Sequence, residues 1–255
     1  MKNNIILECK DVGISFGGIK AVDGFTMSME KGELLGLIGP NGAGKTTVFN
    51  MLSGVYTPTQ GQIILDGKVV NGLSPDKLSK EGIARTFQNI RLFENLTVLD
   101  NVKLAMNQFM EYGVLTGMFR LPKYWKEEKE ATDKAIEILK IFELEKFFRA
   151  YAGSLPYGAQ RKLEIARAMA TGPKVLLLDE PAAGMNDTET YELMNSIKTV
   201  RDMLNIGVLL IEHDMNLVLG ICERLIVLNY GQILAEGDPH EVIKNEEVVK
   251  AYLGS

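Results

Sequence analysis

Apolar positions along this chain change their spacing with distance from the N-terminus. The first third carries strand-length runs. Ile5-Ile6-Leu7-Glu8-Cys9-Lys10-Asp11-Val12 reads as one strand. Phe25-Thr26-Met27-Ser28-Met29-Glu30 alternates apolar and polar as a half-buried strand does, with a turn region at Phe16-Gly17-Gly18 before it. Leu34-Leu35-Gly36-Leu37-Ile38 is apolar throughout, the pattern of a strand buried on both faces. Residues 57–70 predict a Pro/Gly turn and a hairpin closed at Asp66-Gly67. The chain thus reads as β-rich up to about residue 88.

Helical spacing follows. Residues 97–106 predict a helix with Thr97 as N-cap. From Trp125 to Phe142 the spacing places Ala131, Ala135, Ile138, Leu139 and Phe142 on one face, and the charge cluster from Lys126 to Glu130 reads as a solvated helix start. Between them, residues 107–124 form an irregular stretch bearing Phe109, Met110, Tyr112, Met118, Phe119 and Tyr124. From residue 172 strands and helices alternate: a strand at Val175-Leu176-Leu177-Leu178-Asp179, a helix over 187–204, a strand over 207–211, a short helix over 214–221 and a strand over 225–228. Buried apolar strands separated by helices predict a largely parallel sheet covered on both faces.

Composition narrows the class. The chain has 255 residues, 46% hydrophobic and 24% charged, enough for a sizeable core. A net charge of −5 argues against a general nucleic-acid binder. Two cysteines, Cys9 and Cys222, cannot make a disulfide framework, and His213 and His240 do not pair with them at zinc-ligand spacing. The start shows no signal-peptide pattern, and no apolar run approaches the ~18–20 residues of a membrane span. Work at a membrane would need another chain to do the spanning.

The strongest chemistry is Gly39-Pro40-Asn41-Gly42-Ala43-Gly44-Lys45-Thr46-Thr47, which fits G-x-x-x-x-G-K-[ST]. An apolar strand precedes it and Val48-Phe49-Asn50-Met51-Leu52 reads as a helix after it. Glycines let backbone N–H groups approach phosphate oxygens, and the helix start adds unpaired donors. Lys45 would bring a full charge to the β- and γ-phosphates and Thr46 a hydroxyl to Mg²⁺. The strand at 175–179 ends in a second element, Asp179-Glu180. Asp179 would hold the Mg²⁺ and Glu180 would polarise the attacking water. Adjacent carboxylates repel, and a nearby Mg²⁺ gives them a reason to coexist.

With these motifs in this order, the chain resembles the ATP-binding subunit of ABC transporters over essentially its whole length. The resemblance implies an α/β fold: a P-loop (RecA-like), mostly parallel sheet core with an antiparallel β subdomain and a helical insert. Residues 1–89 and 165–255 would form the ATP-binding core and 90–164 the helical signature subdomain. It implies an ATPase with ATP and Mg²⁺ as ligands. Phe16 stands where an aromatic stacks on adenine, and residues 39–47 are the Walker A motif. Gln88, in Arg85-Thr86-Phe87-Gln88-Asn89, falls at the Q-loop, which reaches the Mg²⁺ and moves with the insert. Leu155-Pro156-Tyr157-Gly158-Ala159-Gln160 occupies the place of the signature motif, commonly Leu-Ser-Gly-Gly-Gln. Here Pro156 replaces the usual Ser, Tyr157 the first Gly and Ala159 the usual Gln. Tyr157, Gly158, Ala159 and Gln160 would contact ATP held by a partner subunit, through backbone N–H at a helix start. Asn186 lies at the D-loop in place of its more usual Asp, and His213 follows a strand as the switch histidine does.

Four features look like the branched-chain amino acid importer subfamily. They are Glu212-His213-Asp214-Met215, the Tyr-Gly signature, the aromatic-bearing stretch and the ending Ala251-Tyr252-Leu253-Gly254. The implied assembly is a homodimer, or a heterodimer with a similar ATP-binding chain, on two integral membrane permease subunits, fed by an extracytoplasmic solute-binding protein. It would sit peripherally at the cytoplasmic face of the cell membrane, with residues 90–96 around Phe93 as a dock for a permease helix. Related readings are a urea or amide importer, a lipopolysaccharide-export ATPase and a soluble ABC ATPase; the last usually carries two cassettes or long coiled coils, which this chain lacks. An unrelated P-loop GTPase would need an Asn-Lys-x-Asp guanine reader, and none is present.

Overall fold

The computed structural model describes residues 4–107, 118 and 121–253. Two sheets organise it. An antiparallel sheet, in the order β2-β1-β4-β5, is built from β1 (Ile5–Phe16), β2 (Ile19–Glu30), β4 (Gln60–Leu65) and β5 (Lys68–Val69). A six-stranded sheet, in the order β10-β9-β3-β8-β7-β6, is built from β3 (Leu34–Ile38), β6 (Ile83–Arg85), β7 (Val175–Asp179), β8 (Gly207–Ile211), β9 (Arg224–Asn229) and β10 (Gln232–Gly237). Strands β9, β3, β8, β7 and β6 run parallel; only β10 is antiparallel. The six-stranded sheet is the largely parallel one expected from the alternating C-terminal pattern, and together with the antiparallel sheet it makes the α/β fold that the resemblance implies.

The apolar central strands divide their side chains between two cores, because successive residues of a strand point to opposite faces. Leu34, Ile38, Leu176, Leu178, Val208, Leu210, Leu225 and Val227 pack with the helices Val98–Met106, Pro122–Ile141, Tyr157–Met169 and Asp187–Leu204. Leu35, Leu37, Val175, Leu177, Leu209, Ile211, Ile226 and Leu228 face the other way, toward the antiparallel sheet and the helix Lys45–Leu52. Strands with both faces buried in this way read as continuous apolar runs.

The structure departs from the sequence expectations at several points. β1 and β2 run to 12 residues each, well past the apolar stretches that marked them. A helix, Pro75–Glu81, interrupts the segment expected to be β-rich: Pro75 opens it behind Ser74, and Gly82 ends it at φ 115°. The helix after the glycine loop begins at Lys45 rather than Val48, and the helix expected from Trp125 begins at Pro122. β10 and the helices Pro239–Val242 and Glu246–Leu253 lie beyond the last expected strand. The hairpin at Asp66-Gly67 is as expected, both residues having positive φ. Phe109, Met110, Tyr112, Phe119 and Gly254 lie outside the described residues.

Cys9 and Cys222 sit one in each core, and burial pushes both thiols up to about 12 from the ordinary 9.0. The native protein will therefore leave a thiol reagent such as DTNB unreacted at pH 8 and release both thiols only on unfolding. Their contribution to stability is present below pH 9.0 and is lost as pH rises from there toward 12. Rapid labelling of the folded chain would contradict this placement.

Candidate active site

Parallel strands in register end together, and ligands bind outside such carboxyl ends in open α/β sheets. Asp179 at the end of β7 lies opposite Ile211 at the end of β8, and Arg85 ends β6 opposite Leu177. The segments after β3, β6, β7 and β8 therefore meet at one edge, and they carry residues 39–47, Gln88, Glu180 and His213.

The loop after β3 takes its shape from glycines. Gly39, Gly42 and Gly44 have φ of 150°, 78° and 106°, backbone that L side chains rarely adopt. A Cβ on Gly39 would overlap the Leu228 carbonyl, so the backbone passes closer to β9 than any side chain allows. Lys45 begins the helix and is buried. Its ammonium donates to the carbonyls of Gly39 (2.6 Å) and Pro40 (3.0 Å), two neutral partners. Burial draws its pKa below the ordinary 10.5, against the opposing pull of the Glu180 and Asp179 carboxylates. A buried cation whose described hydrogen-bond partners are neutral carbonyls is suited to an incoming anion. Pro40, Asn41, Ala43 and Thr47 complete the loop, with Thr46 exposed at its end.

Asp179 is buried, and its Oδ2 accepts from Arg85 Nη2 at 2.9 Å. Arg85 Nη1 donates to Asn50 Oδ1 (2.7 Å) and Ser53 Oγ (2.9 Å), so one guanidinium joins the end of β7 to the helix behind the glycine loop. Its Cζ lies over the rings of Phe49 and Phe87, 5.6 and 5.1 Å from their centroids.

Glu180 follows at φ 47°, left-handed backbone for a non-glycine residue. Its Oε1 lies 2.6 Å from His213 Nε2, and its Oε2 accepts from Gln88 Nε2 at 2.8 Å. The three predicted catalytic side chains thus converge, with Glu180 in the middle. Because an ionised carboxylate can only accept, this contact is a hydrogen bond when Nε2 carries the imidazole proton. Glu212 holds this arrangement from beneath. Its buried carboxylate accepts from the backbone N–H of Ala182 (2.9 Å) and His213 (2.9 Å), and burial raises its pKa.

Phe16 is half-exposed and edge-on to Tyr56, with ring centroids 5.1 Å apart. Residues 157–160 open the helix Tyr157–Met169. Tyr157 is half-exposed against Gly184, Gly158 is buried against Glu189, Ala159 is half-buried, and Gln160 donates to the Leu155 carbonyl at 2.8 Å. Asn186 caps the helix Asp187–Leu204 in a capping box with Glu189.

Sequence reasoning assigned no role to Arg85, Arg161, Glu212 or Tyr252. Arg161 is fully buried and donates to the carbonyls of Phe87 (2.7 Å), Gln88 (2.7 Å) and Glu180 (3.2 Å) and to Glu164 Oε2 (2.8 Å). Tyr252, in the C-terminal helix, hydrogen-bonds the Gly39 backbone while burial raises its pKa. That helix and the glycine loop flank a cleft of about 360 Å³ lined by Asn41, Gly42, Tyr230, Glu247 and Lys250 among others. Among the described residues, no helix is long and apolar enough to cross a membrane.

Comparison with known proteins agrees with this geometry. A family model described as ABC transporter matches residues 22–183, and one described as branched-chain amino acid ATP-binding cassette transporter matches residues 232–255. The chain is 46% identical over 249 residues to the high-affinity branched-chain amino acid transport ATP-binding protein BraF of Pseudomonas aeruginosa, covering 98% of each. Among solved structures, it superposes on the ADP conformation of an ATP-binding cassette of an ABC transporter with a TM-score of 0.86 and 32% identity, covering 99% of this chain and 100% of the other. A dimeric cassette in a post-hydrolysis state, bound to ADP and Pi, superposes with a TM-score of 0.75 and 28% identity over 92% of this chain and 99% of the other.

Proposed function

The chain belongs to the ABC transporter family, and on that premise we propose that it is the ATPase subunit of an importer for branched-chain amino acids. The observation that carries the catalytic part is the Glu180 carboxylate, held between Gln88 and His213 beside the glycine loop. The substrate class rests on likeness to BraF and on the match over residues 232–255.

ATP would lie with its triphosphate along residues 39–47 and its adenine against Phe16. Lys45 would exchange the Gly39 and Pro40 carbonyls for β- and γ-phosphate oxygens. The oxygen donors present, Thr46, Asp179 and Gln88, fit a hard cation. Bound there, Mg²⁺ would neutralise phosphate charge as it develops. Glu180 accepts a proton from water as the water oxygen bonds to the γ-phosphorus; the bond to the β–γ bridging oxygen breaks, leaving ADP and phosphate. His213 orients the carboxylate, and Gln88 ties it to the segment leading into the helices.

The exposed start of the helix at 157 would complete the site of a second ATP-binding subunit, identical or similar, closing head to tail; the dimeric cassette of the same fold supports this reading. Nucleotide binding would favour the closed dimer and so drive two permease subunits between states. We assign residues 1–89 and 165–255 to the ATP-binding core and 90–164 to the helical part. A groove of about 690 Å³, lined by Val55, Leu78, Phe87, Arg91, Ala105 and Arg167 among others, is the proposed permease dock, next to exposed Phe93. A solute-binding protein would deliver the cargo outside, with this chain peripheral at the cytoplasmic face of the membrane.

Lys45→Ala removes the cation, and the loss of one charge-assisted hydrogen bond, about 1.5–3 kcal/mol, should lower ATP affinity about 10- to 100-fold by titration calorimetry. The substrate assignment is tested by uptake of labelled leucine, isoleucine and valine in cells lacking this chain. Uptake should vanish, return with the wild-type chain and not with Glu180→Gln. Unchanged branched-chain uptake alongside lost uptake of another solute would overturn the substrate assignment and leave the ATPase reading standing.

A further inference from the structure

We infer that Arg161 is a positioning residue that couples the signature helix to the Q-loop and to the catalytic carboxylate. The inference rests on the reading of Glu180 as base. Arg161 lies in the first turns of the helix Tyr157–Met169 and has no exposed surface. Its two terminal nitrogens hold three backbone carbonyls on two other segments, Phe87 and Gln88 after β6 and Glu180 after β7. Gln88 and Glu180 are the two residues whose side chains meet at 2.8 Å. One planar fork therefore fixes the backbone of both partners in that contact, which a single-point ammonium cannot do.

The surroundings confine the fork further. Glu164 Oε2 accepts from Arg161 at 2.8 Å, and Glu164 Oε1 accepts from the Arg91 N–H at 3.3 Å. The Arg91 guanidinium stacks over the Phe87 ring at 4.0 Å. Arg161 Nε stays buried with no hydrogen-bond partner, a cost that plain packing of this helix would avoid with an apolar residue. Movement of the helix would carry the backbone of Gln88 and Glu180 with it. The start of the same helix is the surface proposed to meet the partner's ATP. Arg161 thus links what one subunit senses across the dimer to the geometry of its own base.

Arg161→Lys in the full-length chain is the test. Lys keeps the charge facing Glu164 but cannot span both segments. The expected result is a kcat for ATP lowered about 10- to 100-fold, the scale of a catalytic group displaced by about 1 Å, with the ATP dissociation constant within about twofold of wild type. In a Gln88→Ala background the same change should cost clearly less, since the side chain it positions is gone. Should Arg161→Lys fold poorly, the double variant Arg161→Met with Glu164→Met removes both members of the buried pair and is read in the same way. An unchanged kcat in a folded variant, a loss of binding equal to the loss of kcat, or additive losses with Gln88→Ala would each overturn the inference. Glu180→Gln measured alongside keeps the two questions apart. Full hydrolysis there overturns the base assignment, whereas its loss together with wild-type kcat in Arg161→Lys overturns the role of Arg161 alone.

Discussion

Glu180→Gln should nearly eliminate ATP hydrolysis while leaving ATP binding intact. The amide is isosteric with the carboxylate and can occupy the gap between Gln88 and His213, which now hold its two oxygens at 2.8 and 2.6 Å. It cannot accept a proton from water at neutral pH. Removing a positioned general base costs about 10²–10⁴ in rate, so kcat should fall by that factor. Binding should persist, because Lys45 and the glycine loop are untouched. The variant should therefore accumulate as an ATP-bound dimer, seen as a shift to twice the monomer mass in size-exclusion chromatography with ATP. Wild-type turnover in Glu180→Gln would falsify the assignment of the base.

Arg85→Leu carries the second large effect, on stability. The Arg85 and Asp179 side chains are 7% and 9% exposed, and their pairing at 2.9 Å is a buried one. Removing one member of a buried pair strands the other charge and typically costs about 3–5 kcal/mol. Asn50 and Ser53 also lose their guanidinium partner, and two ring contacts go with it. Equilibrium urea denaturation without nucleotide should show this loss as a lower midpoint. Adding Asp179→Asn removes the stranded charge and should restore part of the stability without restoring hydrolysis. A loss below about 1 kcal/mol in Arg85→Leu would overturn the role of this pair in stability.

Several elements were legible because their cause is local. Three glycines ahead of Lys45-Thr46 determine a loop of backbone N–H groups wherever the chain goes, and the runs at 34–38, 175–179 and 207–211 emerged as strands with those bounds. Thr97 capped its helix as read, accepting from the Asp100 N–H at 3.0 Å. The helix Pro75–Glu81 was missed although Ser74-Pro75 and Gly82 bracket it, because its one buried residue, Leu78, makes no periodic pattern.

The chain by itself determined the phosphate loop, the acids at the end of β7, the strand–helix alternation and the family, because each is written in neighbouring residues. Only the tertiary structure decided how the site is held. Arg85 meets Asp179 across 94 positions and Gln88 meets Glu180 across 92. Arg161 reaches back 74 positions to Phe87. A lone arginine in a strand or on a helix reads as a surface charge until a partner distant in sequence is folded against it. Parallel strands make that partner, since they bring distant segments to a common edge where each orphaned charge or carbonyl must be satisfied.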